Sequence, residues 1–382
     1  MLRDFLSPRR SALIFQLIAV IFVVLSLYSI GQNTADNLES RGIATGFSFF
    51  ERSAGFDIAF SLFPFEATDT FARAFWIGLS NTILVSFLAV VFASLLGLLV
   101  GLMRMSKNPL LRVFGLSYIE IFRNLPLLLQ LFFWYFVVLR QLPHPRQSLE
   151  LGHFALNIRG LYVPFPESHL SIGIFILSIV IGLFLGHVAF KKALGLRLAN
   201  GCYPRWMPGA YLVPFFVPFS TIVALSLVTD ISTPKLEGFN YSGGLQLVPE
   251  LLALILALSV YTASFIAEIL RAGIESVSKG QVEAAKALGL GPFKTFKEIV
   301  LPQALKVIIP PLTSQYLNIT KNSSLAAAIA FPDLVLIFAG TSLNITGQAI
   351  EIMFITLMVY LSLSLSISFL MNTYYRKITK YS

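Results

Sequence analysis

The sequence predicts an all-α membrane protein of about eight transmembrane helices, with both termini in the cytoplasm. Three observations predict it. Of 382 residues, 56% are hydrophobic and only 12% are charged, whereas a soluble domain is about a quarter charged. Eight apolar runs approach the roughly 20 residues that cross a bilayer as a helix. Lys and Arg concentrate in alternate connecting segments, the pattern that sets orientation.

The expected spans are Ala12–Ile30, Ile77–Met103, Leu125–Leu139, Ser171–Phe190, Tyr211–Val228, Leu251–Leu270, Leu305–Thr320 and Ile350–Met371. Arg3, Arg9 and Arg10 precede the first, as in a signal peptide. The run is long for a signal core and no small-x-small site follows Ile30, so it reads as an anchor. With the N-terminus inside, the inner segments hold 20 of the 28 Lys and Arg, and the outer ones 13 of the 19 Asp and Glu. The formal charge of +9 then reads as topology and contact with anionic lipid, and needs no nucleic acid. Leu325–Gly340 is apolar but short, and is expected to be a partial or re-entrant helix on the outer side.

Between the spans, residues 31–76 form an outer segment whose Phe47, Phe49, Phe50 and Phe56 fit two arrangements. One is a helix in the headgroup region. The other is a loop packed on the outer helix ends. Residues 140–170, rich in Pro and His, form a second outer loop, and 191–210 a basic inner loop. Ser362, Ser364, Ser366 and Ser368 share no helical face and are expected to bond back to carbonyls one turn earlier. A single cysteine, Cys202, excludes an internal disulfide, and His144, His153, His169 and His187 have no metal-ligand spacing. No metal or cofactor is expected.

The segment after the sixth span reads as helix–turn–helix. Ser278 is an N-cap, with Gln281 as its capping-box partner. Val282, Ala285 and Leu288 recur at helical spacing. Gly289 stops the first helix. Pro292 opens a second, at a position where its missing N–H costs nothing. Phe293, Phe296 and Ile299 form the apolar face of that helix, and Pro302 is expected to end it. Basic Lys279, Lys286, Lys294 and Lys297 suit a helix on the inner membrane surface. A docking knob for a cytoplasmic partner fits equally well.

Glu283-Ala284-Ala285, Gly289, Ile299 and Leu301-Pro302 resemble the loop of bacterial ABC-importer permeases: Glu-Ala-Ala, three residues, Gly, nine residues, Ile, one residue, Leu-Pro. The resemblance implies that these residues form a coupling helix seated in a groove of an ATPase subunit. Three stretches narrow the likeness to the polar amino-acid (histidine permease) branch: Tyr118-Ile-Glu120-Ile-Phe-Arg123-Asn-Leu-Pro126, Ala267-Glu268-Ile-Leu-Arg271-Ala-Gly273 and Lys321-Asn-Ser-Ser324-Leu. The longer layout resembles the larger permease subunit of general L-amino-acid transporters. It implies a five-helix type I importer core plus three extra spans. Residues 1–76 would be the anchor span and periplasmic segment. Residues 77–375 would be the permease domain, with inserted spans at 171–228 and the coupling loop at 271–303. Residues 376–382 would be a basic tail. Implied partners are an ATP-binding subunit dimer, a second permease subunit, a periplasmic amino-acid-binding protein and the lipid bilayer of the bacterial inner membrane.

No phosphate-binding Gly-x-x-x-x-Gly-Lys-Ser/Thr loop occurs, so ATP hydrolysis falls to a partner and the chain is not expected to be an enzyme. Pro310 and Pro311 are expected to break the seventh helix near mid-membrane. With Gln130, Thr262, Ser264, Gln315, Asn318 and Thr320 they are candidates for lining a solute path, or equally for hydrogen bonding between helices. Glu120–Arg123 and Glu268–Arg271 read as local i, i+3 ion pairs. The rival classes are an ion-gradient transporter or channel, which calls for mid-membrane charges, and an ABC permease for opines, peptides or sulfur compounds.

Overall fold

A computed structural model describes residues 8–40, 42, 45–166, 169–200, 204, 206–228 and 231–380. Cys202, Arg3 and Arg205 lie outside the described residues. The chain is mostly helical and divides into two compact units, Met1–Val91 with Gly101–Pro109 and Phe265–Ser382, and Phe92–Val100 with Leu110–Ser264.

In the first unit, α1 (Pro8–Ser40) exposes the whole of its apolar window. Helix α2 (Phe71–Arg104) starts at an N-cap, Thr70, whose side chain accepts from the Arg73 amide at 3.4 Å. Ahead of it the chain folds back: a 3-10 turn at Ser48–Glu51 puts Phe49 into a buried cluster with Phe71, Ala74, Ile77, Leu334, Phe338 and Ile352. Phe49 stacks on Phe50 with centroids 4.6 Å apart, and Phe75 meets Phe338 at 5.2 Å. These phenylalanines therefore pack as a loop on helix ends, the second of the two expected arrangements. Phe47 alone of the four stays largely exposed.

Helices α10 (Leu301–Asn322) and α12 (Ala349–Lys380) pack on each other in the same unit. Between them the chain makes a 3-10 stretch, Ser323–Ile329, and a left-handed turn at Ala330 (φ 59). A π-helical segment, Val335–Ser342, then runs into α11 (Leu343–Thr346). The break at Ala330 leaves too short a helix to cross about 30 Å of hydrocarbon. Ser362 and Ser366 bond back to the carbonyls of Met358 and Ser362, at 2.7 and 2.8 Å.

The second unit holds α3 (Pro109–Asn124) and α4 (Leu127–Phe132), which continues through π and 3-10 turns to Gln141. A bend of 105° separates them. Pro126 forces it, because the residue before a proline is pushed out of helical geometry. Short strands form within the outer loop expected at 140–170 and in residues 231–247. Strands β1 (Leu149–Leu151), β2 (Phe154–Asn157), β3 (Gly160–Val163) and β8 (Leu245–Leu247) make an antiparallel sheet in the order β1-β2-β3-β8. Two-stranded ribbons pair β4 (Phe165–Pro166) with β5 (Ile231–Ser232), and β6 (Lys235–Glu237) with β7 (Asn240–Ser242). Gly160 at φ +117 is required, since a Cβ there would sit 2.1 Å from the Leu247 carbonyl oxygen. The β3–β8 and β4–β5 pairs close the base of an inserted hairpin, α5 (His169–Asn200) and α6 (Met207–Val228), whose helices pack together. Gly182 lets Pro214 and Pro218 of α6 approach α5 within 3.4 Å of its would-be Cβ. Helix α7 (Pro249–Glu275) follows and contributes to both units.

Among the described residues, four helices are long and apolar enough to cross a membrane: Ala12–Thr34, Phe71–Arg104, Pro249–Glu275 and Ala349–Thr379. The bent α3–α4 pair makes up to five. The expected spans Ser171–Phe190 and Tyr211–Val228 fall on α5 and α6, which include side chains outside the described set. Helix α10 has the length, but Gln303, Lys306, Thr313, Ser314, Gln315 and Asn318 make it too polar to count by composition.

Candidate coupling hairpin and path residues

The expected helix–turn–helix is present in the first unit as α8 (Lys279–Ala287) and α9 (Pro292–Thr295). Its turn is closed by two backbone bonds. The Leu290 amide donates to the Ala285 carbonyl at 3.0 Å, and the Gly289 amide to the Lys286 carbonyl at 2.9 Å. Gly289 sits at φ +76 between them. This is a Schellman end, for which glycine alone has no Cβ penalty. Gly291 and Pro292 then open α9 at its N-cap and first positions.

Two local expectations are corrected. Ser278 occupies the N-cap, but its side chain makes no capping bond. The Gln281 amide instead takes the Ser278 carbonyl at 3.0 Å, so the turn is held by backbone alone. Nor does Pro302 end the second helix. A π-helical turn, Phe296–Val300, carries α9 into α10, and Pro302 stands at the second position of α10. A proline ring collides with the carbonyl four residues back in a regular α-helix. The wider π turn just before it relieves that collision.

The hairpin buries Ala285, Thr295, Val300 and Ala304 internally. Glu283, Ala284 and Gly289 are exposed, whereas Ile299, Leu301 and Pro302 are half-buried. All seven motif residues thus lie on one hairpin. Beside them Leu288 is 81% exposed and Phe293 76% exposed, while Leu290 between them is half-buried. The Leu288 and Phe293 side chains are open to contact from outside the chain. At the foot of the hairpin, the Arg271 guanidinium bonds Glu268 at 3.0 and 3.1 Å and also pairs with Glu275, which is the local ion pairing expected.

The path candidates divide between the units. In the second, Gln130 is buried, and its amide donates to the Phe122 and Leu125 carbonyls at 2.8 and 3.0 Å. It thereby supplies donors to carbonyls freed by the Pro126 bend. Thr262 and Ser264 are buried on α7, and the Ser264 hydroxyl donates to the Tyr261 carbonyl at 2.6 Å. In the first unit, Pro310 and Asn318 are exposed, Gln315 is half-buried and Thr320 is buried. Helix α10 runs through Pro310 and Pro311 unbroken, contrary to expectation. Both rings lie on its exposed side. The turn there gains a bond from the Thr313 hydroxyl to the Ile309 carbonyl at 2.8 Å.

Sequence reasoning missed three buried polar residues, Asn81, Thr82 and Asp333. Asn81 donates to the carbonyls of Phe60 at 2.9 Å and Pro332 at 2.8 Å, and Thr82 accepts from the Leu334 amide at 3.0 Å. Asp333, also buried, accepts from the Leu336 amide at 2.8 Å as a helix cap. In the second unit, Tyr135 donates to Glu250 at 2.7 Å and Tyr118 to the Val260 carbonyl at 2.8 Å. On the small strands, Tyr241 donates to Glu150. Its hydroxyl pKa is raised, first by burial and then by the Glu150 carboxylate.

Residues 178–380 match the family described as binding-protein-dependent transport system inner membrane component. The chain belongs to this family. Over 98% of its length it is 50% identical to the putative amino-acid ABC transporter permease protein YhdX of Escherichia coli K12, covering 96% of that protein. It is 43% identical to the general L-amino acid transport system permease protein AapQ of Rhizobium johnstonii, over 97% of this chain and 93% of that one. It is 38% identical to the glutamate/glutamine/aspartate/asparagine transport system permease protein BztB of Rhodobacter capsulatus, over 95% and 94%. The chain is therefore an ABC transporter permease, a membrane subunit of a transport system.

Proposed function

We propose that this permease imports L-amino acids across the bacterial inner membrane, driven by a separate ATPase that grips the hairpin at residues 278–302. The hairpin carries the reading. It has the full Glu283-Ala-Ala, Gly289, Ile299, Leu301-Pro302 spacing on a turn closed by backbone bonds, with Leu288 and Phe293 facing outward. A rigid knob with an apolar tip suits a groove in a moving partner, because pre-ordered contacts lose little entropy on docking.

The cargo is proposed from the names of the relatives, three of which are amino-acid permeases. Eight spans with both termini inside follow from the basic-residue distribution, and place the hairpin in the cytoplasm. The five-helix type I core follows from the family resemblance. Two copies of the ATPase, a second and different permease subunit, and a periplasmic binding protein complete the assembly. As the ATPase closes, the hairpin moves with it and tilts α7 and α10. Pro310, Gln315 and Asn318 on α10, with Gln130, Thr262 and Ser264, are the proposed path residues.

Glu283→Arg or Gly289→Asp tests the reading. Each variant should insert normally, lose ATPase association and lose uptake of radiolabelled amino acid. Normal uptake by either variant defeats it.

A further inference from the structure

We propose that Gly273 is a positioning residue that clamps the two legs of the hairpin together, so that ATPase motion reaches α7 and α10 as one movement. This rests on the coupling role of residues 278–302. A Cβ built on Gly273 would lie 2.2 Å from Ile308 Cγ1, 2.9 Å from Ile308 Cδ1 and 3.4 Å from the Ala304 carbonyl oxygen. Ordinary carbon contacts lie near 3.5–4.0 Å, so even alanine must part the legs by on the order of 1.5 Å. Ile308 yields poorly. It is 2% exposed, and a β-branched side chain in a helix has one strongly preferred rotamer.

The clamp matters because the direct joint between α7 and α8 is a short non-helical link. The chain leaves α7 through Ser276, Val277 and Ser278, where the Ser276 hydroxyl bonds back to the Gly273 carbonyl at 2.7 Å but no side chain caps α8. A hairpin hinged there alone could swing without moving either span. On the other leg, α9, the π turn and α10 run on as one continuous helix. Contact at Gly273 ties that continuous leg to α7 just above the joint. A second close approach lies less than two turns earlier, where Gly101 of α2 comes within 3.3 Å of the Ala267 carbonyl oxygen, measured from its would-be Cβ. Arg271, bridging Glu268 and Glu275, stiffens the turns between the two contacts. Motion at Leu288 and Phe293 is thereby delivered to three helices together.

The test is uptake per ATP hydrolysed by the complete transporter in proteoliposomes, with its binding protein. The probe is the radiolabelled L-amino acid that wild type takes up fastest from a panel of the common ones. Gly273→Ala should keep its ATPase subunits and hydrolyse ATP, while uptake per ATP falls about two- to thirty-fold, the range for mutations along a coupling network. Gly273→Ala with Ile308→Ala should restore most of the ratio by removing the collision. A wild-type ratio in Gly273→Ala, or a double variant no better than the single, overturns the proposal. Should Gly273→Ala not insert, Ile308→Ala alone loosens the clamp from the other side and should lower the ratio at least about two-fold; an unchanged ratio overturns it. Leu288→Ala with Phe293→Ala in the same liposomes separates the two ideas. If that variant keeps its ATPase subunits, the coupling reading fails, whereas a failure at Gly273 alone leaves that reading standing.

Discussion

Replacing both Leu288 and Phe293 by alanine isolates the tip of the hairpin. Fully burying a leucine or phenylalanine side chain is worth about 1.5–3 kcal/mol. Here 81% and 76% of the two residues is exposed in the free chain, so nearly all of that value remains available to a partner. Alanine keeps the β-carbon and docking leaves some surface wet, so the pair should contribute about 2–3 kcal/mol to ATPase binding. At 1.4 kcal/mol per tenfold, that weakens the dissociation constant roughly 30- to 150-fold. The folded permease should not notice, because neither side chain is buried in it. The assay is titration of purified ATPase subunit onto nanodisc-embedded permease, with a thermal melt alongside. An unchanged dissociation constant refutes the reasoning, and so does a loss of affinity matched by a large loss of melting temperature.

Gly289→Val forces a β-branched residue to φ +76, at a cost of about 1–2 kcal/mol; amide hydrogen exchange should quicken in α8 and α9 while α12 is unchanged. Gln130→Ala removes both donors at the bend and strands the Phe122 and Leu125 carbonyls. That should cost about 1–3 kcal/mol, read as a lower melting temperature, and Gln130→Glu should not rescue it because a carboxylate cannot donate. The Tyr241–Glu150 bond needs the neutral phenol, whose folded pKa is raised. Its stabilisation is therefore complete below the ordinary tyrosine value near 10 and disappears as pH rises through the higher folded value. Proteolysis of the β6–β7 ribbon should accelerate only at strongly alkaline pH, and at all pH values in Tyr241→Phe.

The hairpin was legible because its grammar is local. A glycine that must be left-handed and a proline that must be first announce themselves within four residues. Where the local rule met a neighbour it failed: Pro302 looked like a stop, but a π turn three-dimensionally makes room for it. Pro310 and Pro311 looked like a break for the same reason, and the helix runs on. The sheet was missed because its strands are three or four residues long and β3 meets β8 only across the whole α5–α6 insertion. Leu149-Glu-Leu-Gly-His-Phe-Ala-Leu-Asn157 did carry a hairpin signal, two alternating runs around a Gly-led pair. Asn81, Thr82 and Asp333 could not be found from sequence, since the partners of Asn81 and Thr82 lie up to 252 positions away. Helix α10 has the length of a span, but Gln303, Lys306, Thr313 and Gln315 lower its hydropathy below that of the other long helices.

In the proposed mechanism residues 278–302 face the cytoplasm and are held by an ATPase during transport. This is tested by Glu283→Cys in a Cys202→Ser background, labelled with a membrane-impermeant maleimide in intact cells and in inverted vesicles. Labelling confined to inverted vesicles, and suppressed when the ATPase subunit is added back, is the predicted result. Labelling from the outside of intact cells, or undiminished labelling in vesicles that are actively transporting, contradicts it.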